Sequence, residues 1–133
     1  MNIVLNVMKK YYTRGYDQIM ISVGEGRYTV KLESHKIGND RLVIITGGEE
    51  DHIGSATLIE AKGHWQTMIK KGHKDHVISE KMANIIYDTI EKDLLVVCGI
   101  HIDDASKEEI DILMDNAQVC VDIFLKETDG RRS

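Results

Sequence analysis

The sequence predicts an α+β fold in a single domain, in which a mostly antiparallel β meander is followed by a helix, a strand and a second helix. Two patterns support this prediction. Apolar and polar residues alternate through the first half of the chain, and from Ser79 onward apolar residues recur at helical spacing. The 133 residues suit one domain spanning 1–133, with both helices packed on one face of the sheet.

Turns that contain glycine separate the predicted strands of the meander. Gly24-Glu25-Gly26 lies between two alternating runs, which is typical of a hairpin. The run 42–46 is continuously apolar and β-branched, so it predicts a strand that is buried on both faces. The predicted strands of this half cover residues 18–23, 28–34, 42–46, 55–61 and 64–69.

The second half of the chain contains two predicted helices around one more strand. The first helix begins near Ser79, and a buried strand follows it over residues 94–100. Ser106 and Glu109 form a capping box at the start of the second helix, because each side chain can accept a hydrogen bond from the other residue's backbone N–H. The predicted apolar faces comprise Met82, Ile85, Ile86 and Ile90, then Ile110, Leu113, Met114, Ala117, Cys120, Val121, Phe124 and Leu125.

Charge and composition exclude several classes of partner and location. Seventeen Lys and Arg against 22 Asp and Glu give a net charge of −5, which disfavours non-specific binding to nucleic acids or anionic membranes. The sequence shows no signal-peptide pattern and no apolar run of the roughly 18 residues that a membrane span requires. Cys98 and Cys120 fit no disulfide or metal pattern, so we expect buried, reduced thiols in a cytoplasmic protein.

Polar segments that contain histidine lie at predicted strand ends or helix starts, over residues 47–54, 72–80 and 99–101. Gly47 and Gly48 permit a close approach of the backbone to a ligand, and their N–H groups could form a nest for a phosphate. The acidic residues 49–51 disfavour a bare phosphate at that point, because like charges repel. A plain turn is the alternative explanation of the two glycines.

The segment around His73 and Lys74 has the clearest preference for an anion. A helix N-terminus and a lysine side chain both attract negative charge. Ser79 is predicted either to cap this helix or to contact a ligand. Histidines 52, 73, 76 and 101 with Asp75 could instead hold a metal, although no pair of them has the spacing of a known metal motif.

Taken together, the polar segments resemble a known family. The series LVIITGGEEDHIG, GHKDHVISEKMA and CGIHIDDASKEEI is similar to the small D subunit associated with bacterial gallate decarboxylase, a family also described as prenylated-flavin chaperone-like. The shared features are an apolar strand that ends in TGG and leads to HIG, an HKD–ISE segment that opens a helix, and a GIH strand end. The resemblance covers about residues 41–112.

The resemblance implies an accessory role without catalysis. Such a protein would bind prenylated FMN, or FMN, and would protect it, help it mature or deliver it to a UbiD-type decarboxylase, or act as that enzyme's small subunit. The implied partners are the decarboxylase catalytic subunit and a flavin prenyltransferase. Separately, a small domain with an acidic surface and sheet edges commonly forms symmetric homo-oligomers, so we expect further copies of this chain as partners. We expect His73 and Lys74 near the flavin phosphate, and His52 and His101 near the ring. The implied site comprises Gly47, Gly48, His52, Ile53, Gly54, His73, Lys74, Asp75, Ser79 and His101.

Two other functions stay open from the residues alone. One is a metal-dependent, hydrolase-like enzyme with a site of histidines and aspartate. The other is a structural subunit whose histidines hydrogen-bond its loops. The sequence offers no recognisable pairing of a nucleophile with a base, which favours binding over catalysis.

Overall fold

Seven strands form one sheet in the part of the chain that the computed structural model describes, residues 7–12, 18–60, 63–71 and 76–130. The sheet order is β1-β2-β3-β4-β7-β5-β6, and the predicted α+β fold is confirmed. In chain order the elements are β1 (Val7–Tyr12), β2 (Ile19–Val23), a 3-10 turn (Gly26–Tyr28), β3 (Val30–Ile37), β4 (Asp40–Gly48), β5 (Ser55–Glu60), β6 (His64–Ile69), α1 (His76–Ile90), β7 (Leu94–His101) and α2 (Lys107–Gly130).

The meander is interrupted after β4. Strands β1 to β4 are antiparallel neighbours, but β5 does not pair with β4, so the prediction of a continuous meander is wrong at this point. Strand β7 lies between them, parallel to β4 and antiparallel to β5. The carboxyl ends of β4 and β7 therefore lie side by side, and Gly48 is the register partner of His101.

One face of the sheet carries the core. In β4 the side chains of Val43 and Ile45 are fully buried, and their register partners in β3 and β7 are buried on the same face. Helix α1 packs against β5 and β7, helix α2 packs against β2 and β3, and the two helices contact each other. The buried hydrophobic helix residues are Met82, Ala83, Ile86 and Ile90, then Leu113, Ala117, Cys120, Val121 and Phe124.

The opposite face of the sheet is not buried. Leu42 and Ile44 of β4 point away from the helices and stay half-buried, so the prediction that this strand is buried on both faces is wrong for the chain as described. No element among the described residues packs over them. The reason is that both helices pack on the same face of the sheet, which leaves the second apolar face of the central strands uncovered.

The helix starts differ in how well the sequence predicts them. Helix α1 begins at His76, three residues before the predicted start, so Ser79 lies inside the first turn and is not its N-cap. The capping box of α2 is confirmed: the Ser106 N–H donates to Glu109 Oε1 at 3.0 Å, and the Glu109 N–H donates to Ser106 Oγ at 3.2 Å. In the described ranges, no helix combines the length and apolar character that crossing a bilayer needs.

Candidate functional site

Two glycines hold the end of β4 close to its neighbours. Gly47 lies against the Thr29 carbonyl, where a Cβ atom would collide, and Gly48 has a φ of +82° and lies against the backbone of His101. The Gly48 N–H donates to the Thr29 carbonyl oxygen at 3.0 Å, and the Glu49 N–H donates to the His101 carbonyl oxygen at 2.7 Å. These amides are used within the fold, so a phosphate would need other donors.

A third glycine lets the loop after β4 cross the sheet. The His52 carbonyl lies so close to the α-carbon of Gly99 that no side chain fits at position 99. The Gly54 N–H donates to the Cys98 carbonyl oxygen at 2.8 Å, which fixes the loop where it enters β5. The loop that contains His52 and Ile53 therefore runs directly over β7, on the face opposite the helices.

This crossing brings His52 and His101 together. Their ring centroids are 5.8 Å apart, and the rings meet edge to face at 84°. The Nε2 atom of His101 lies 2.8 Å from Oδ1 of Asp103, so when that nitrogen carries the proton, the carboxylate orients the ring and leaves Nδ1 as an acceptor. The Asp103 N–H in turn donates to Oε1 of Glu49 at 2.9 Å.

Two of the carboxylates in the acidic loop have cationic or N–H partners within the fold. Glu49 accepts the Asp103 amide, and Asp51 pairs with the ammonium group of Lys31. These contacts tie the loop to β3 and to the segment after β7. Glu49 and Asp51 thus help to position the loop.

An apolar cavity of about 380 Å³ lies between this loop and β6. Ile53 is 66% exposed and Met68 is 72% exposed, and together they form its walls with Ile69. Lys70 stands at its rim, and the Lys70 N–H donates to the Gly54 carbonyl oxygen at 2.8 Å. The volume lies within the roughly 300–1,000 Å³ of small-molecule sites, which are mostly apolar with a few polar groups. The remaining lining residues are Gly54, Ser55 and Ala56.

The structure gathers some of the predicted site residues and separates another. Gly48, His52, Ile53, Gly54 and His101 lie together where β4, β7 and the loop meet. Ser79 is fully buried elsewhere, where its hydroxyl bonds with Ser55 Oγ at 2.8 Å and Thr57 Oγ1 at 3.0 Å beneath α1. Ser55 also lines the cavity, but Ser79 does not. His73, Lys74 and Asp75 lie outside the described residues.

Sequence reasoning missed several residues that shape this region. Gly99 had a detectable signal, because a glycine inside an apolar strand commonly marks a close approach of another backbone. Asp103 follows the predicted GIH strand end by two residues and carried no motif. Met68 and Lys70 reach the site only because β6 pairs with β5, a tertiary contact that local pattern does not reveal.

The metal alternative gains no support from this geometry. Within residues 7–12, 18–60, 63–71 and 76–130, no group of three or more His, Cys, Asp and Glu side chains could hold a metal ion. His52 and His101 form a pair with one carboxylate on the far side of His101. That arrangement orients a ring and does not surround a cation.

Comparison with known proteins identifies the family. Residues 24–129 match the family described as the prenylated flavin chaperone LpdD-like domain. The chain belongs to this family. The protein LpdD of Lactiplantibacillus plantarum is 34% identical over 88 residues, which are 62% of this chain and 65% of that protein. The match therefore spans just under two thirds of that relative's length.

A solved structure shares the fold of this LpdD-like chain. It is described as a novel chaperone complex for yeast 20S proteasome assembly, and it superimposes with a TM-score of 0.58 over 84% of this chain and 96% of that one. At 13% identity the likeness shows the fold alone. Membership of the LpdD-like family confirms the expected resemblance.

Proposed function

We propose that this LpdD-like chain binds prenylated FMN in the cavity between the His52 loop and β6, and protects it for delivery to a UbiD-type decarboxylase. The observation that carries the proposal is the apolar cavity lined by Ile53, which follows His52 in the loop, in a member of a prenylated-flavin chaperone family. The modified flavin supplies the decarboxylation chemistry in the partner enzyme. This chain supplies binding and shelter from solvent.

The residues fit the two halves of a flavin ring. Ile53, Met68 and Ile69 offer an apolar wall against which a planar aromatic system can pack. The polar edge of the ring carries hydrogen-bond donors and acceptors. His52 and His101 border the same loop, and His101, oriented by Asp103, is suited to meet that edge.

The phosphate requires cations, because the amides of Gly48 and Glu49 are already engaged. Among the residues that line the cavity, Lys70 carries a cationic side chain that can reach a ligand there. We retain His73 and Lys74 as phosphate contacts from the sequence, since they follow Lys70 closely along the chain. A phosphate held by lysines gains charge-assisted hydrogen bonds, which are the stronger kind.

Delivery of a cofactor requires one protein that supplies it and another that accepts it. A flavin prenyltransferase would supply the modified flavin, and the decarboxylase catalytic subunit would take it. We propose that the chain works in the cytoplasm as a homo-oligomer or as the small subunit of that decarboxylase. The net charge of −5 disfavours nucleic acids and anionic membranes as partners.

Native mass spectrometry tests the proposal directly. The chain is co-expressed with a flavin prenyltransferase, purified and sprayed from a non-denaturing buffer. We expect the mass of prenylated FMN bound once per chain, with a matching near-ultraviolet absorption band. A protein that carries no flavin, or stoichiometric zinc or iron in its place, contradicts the proposal.

A charge reversal then tests the phosphate assignment. Lys70→Glu places a carboxylate at the rim, so we expect at least about a 10-fold loss of flavin affinity, since 1.4 kcal/mol is tenfold and charge-assisted hydrogen bonds exceed that. Lys81→Glu on the exposed side of α1 is the matched control and should keep full occupancy. Equal retention by both variants would mean that Lys70 does not meet the phosphate.

A further inference from the structure

Glu49 contacts the end of β7 at two points. Its backbone N–H donates to the His101 carbonyl oxygen at 2.7 Å, and its carboxylate Oε1 accepts the Asp103 N–H at 2.9 Å. These two contacts flank Ile102, whose side chain is buried. Glu49 directly follows β4, and β4 pairs with β7 along its whole length. The paired strands therefore hold Glu49 in place against the turn that follows β7.

The turn after β7 has a strained backbone that is anchored on both sides. Asp104 has a φ of +49°, in the left-handed region that residues other than glycine rarely adopt. Such a conformation persists where the surrounding contacts fix it. On the β7 side the Glu49 carboxylate holds the Asp103 N–H, and on the α2 side the capping box of Ser106 and Glu109 holds the start of the helix. The backbone that carries the Asp103 side chain is thus fixed in one conformation.

The Asp103 carboxylate needs this support if it is to orient His101. Its side chain is 86% exposed, and the His101 side chain is 40% exposed. Two side chains this open to water hold a common geometry weakly, because both lose conformational freedom when they pair. Oδ1 of Asp103 nevertheless lies 2.8 Å from Nε2 of His101. Because Glu49 fixes the Asp103 backbone, less conformational freedom remains to be lost when the carboxylate meets the imidazole.

We propose that Glu49 is a positioning residue which, through Asp103, keeps the proton of the His101 imidazole on Nε2 and leaves Nδ1 as an acceptor. An ionised carboxylate only accepts hydrogen bonds, so the nitrogen beside it is the one that carries the proton. The site then offers an acceptor nitrogen to an N–H or O–H donor of a ligand. That this ligand is a flavin rests on the proposed function, whereas the position of the proton does not.

A role of Glu49 in holding the loop alone predicts a different result. In that case the loss of its carboxylate would move His52 and leave the bond between Asp103 and His101 intact. If Glu49 positions Asp103, the loss of its carboxylate weakens that bond. The nitrogen chemical shifts of the imidazole distinguish the two cases. They are furthest apart when one nitrogen always carries the proton, and they approach each other when the proton exchanges between both.

Nuclear magnetic resonance of the isotopically labelled full chain without flavin tests the proposal, in alkaline buffer that keeps imidazoles neutral. The His101 signals are those absent from His101→Ala. We expect the wild-type proton on Nε2 and a wide separation of the two nitrogen shifts. Glu49→Ala should narrow that separation, and Glu49→Gln should restore it, because an amide oxygen still accepts the Asp103 N–H. A wild-type proton on Nδ1, or an unchanged separation in Glu49→Ala, overturns the proposal.

Three further variants make the result specific. Glu50→Ala removes the exposed carboxylate next to Glu49 and should keep the wild-type separation. Asp51→Ala removes the partner of Lys31 in the same loop, and it should keep the separation too. A narrowing by Asp51→Ala as large as that by Glu49→Ala would show that displacement of the loop controls the imidazole, which contradicts the proposal. Should Glu49→Ala not fold by circular dichroism, Glu49→Asp retains the charge on a shorter side chain and is expected to narrow the separation as well.

A double-mutant cycle on flavin affinity tests the route through His101. Glu49→Ala alone should weaken prenylated FMN binding about 5-fold, which corresponds to about 1 kcal/mol, the net contribution of one hydrogen bond. In the His101→Ala background the same change should cost nothing further, because residues that act through one another are not additive. An equal loss in both backgrounds contradicts the route through His101. The resonance measurements use protein without flavin, so their outcome is independent of whether the proposed function holds.

Discussion

The His52 carbonyl and the α-carbon of Gly99 touch where the loop after β4 crosses β7. This crossing sets the position of Ile53 at the cavity and of the His52 ring beside His101. In the GIH strand end, Gly99 therefore has a structural role and His101 contributes a polar side chain. The approach of the loop backbone to Gly99 also brings the His52 ring to His101.

Gly99→Ala is expected to displace the loop. The added Cβ would collide with the His52 carbonyl, so we predict a loss of about 1–3 kcal/mol in the free energy of unfolding, measured by urea denaturation. Gly38→Ala is the control, because nothing lies within 4 Å of its Cβ position and only its φ of +59° is strained, at a cost of about 1 kcal/mol. Flavin should be lost from the first variant and kept by the second. A Gly99→Ala protein with wild-type stability and full flavin retention would falsify the role given to the crossing.

Asp103→Ala is expected to weaken flavin binding through His101. The Asp103 carboxylate lies 2.8 Å from Nε2 of His101 and orients the imidazole. Without the carboxylate the imidazole can rotate away from the polar edge of the flavin. We predict a loss of about 10-fold for His101→Ala and a smaller loss for Asp103→Ala, since a single hydrogen bond contributes about 1 kcal/mol. Equilibrium dialysis with absorbance detection measures both.

The control for this pair is His35→Ala on β3, which removes a histidine outside the proposed site. It should bind flavin as the wild type does. If Asp103→Ala retains flavin while His101→Ala loses it, the carboxylate does not orient the ring. If all three bind equally, the histidine pair lies outside the flavin site.

Glu109 is expected to make the stability of the fold sensitive to acid. The Ser106 N–H and the Tyr28 hydroxyl both donate to its carboxylate and hold the pKa of Glu109 below its ordinary value of 4.5. A carboxyl group with a lowered folded-state pKa stabilises above pH 4.5 and loses that contribution as pH falls through the folded pKa. Wild-type stability should therefore decline on acidification below pH 4.5, and less so in Glu109→Gln.

Two variants separate the cap from the charge. Ser106→Ala should cost about 1 kcal/mol at neutral pH, because the Glu109 N–H loses its side-chain partner. Glu108→Gln changes the exposed neighbour in the same turn and should leave the acid response as in the wild type. Chemical denaturation between pH 3 and pH 7 gives the profiles. Identical acid profiles for wild type and Glu109→Gln would show that the ionisation of Glu109 does not contribute to the acid sensitivity of the fold.

The elements that local pattern predicted well are those whose signals are complete within a few residues. The capping box at Ser106 and Glu109 needs only two side chains and two amides, and it is present. The alternating runs, the continuous apolar runs at 42–46 and 94–100 and the turns between them likewise predicted β2 to β7. Strand β1 had no clear alternation, and the insertion of β7 between β4 and β5 depends on how α1 returns the chain to the sheet.

The candidate site was predicted in part for the same reason. His101 ends β7 and His52 lies in the loop after β4; the fold brings their rings together, and the family resemblance predicted both in one site. Ser79 was misjudged, because a serine at a helix start looks the same in sequence whether it faces solvent or a buried hydroxyl such as Ser55. The contribution of β6 to the cavity arises only from pairing between strands.

Both cysteine thiols are expected to be inert in the folded protein. Cys98 and Cys120 are fully buried, and burial raises the pKa of the Cys120 thiol to about 12, so almost no reactive thiolate exists at pH 8. Its Sγ lies 3.4 Å from the Val30 carbonyl oxygen, inside the core between α2 and β3. We predict that an aromatic disulfide reagent labels neither thiol in native buffer and labels both in urea, with Ile110→Cys as a rapidly labelled exposed control. Because reagent reaches a core thiol only when the fold opens, rapid labelling of Cys120 in native buffer would show that α2 separates from the sheet far more often than its packing allows.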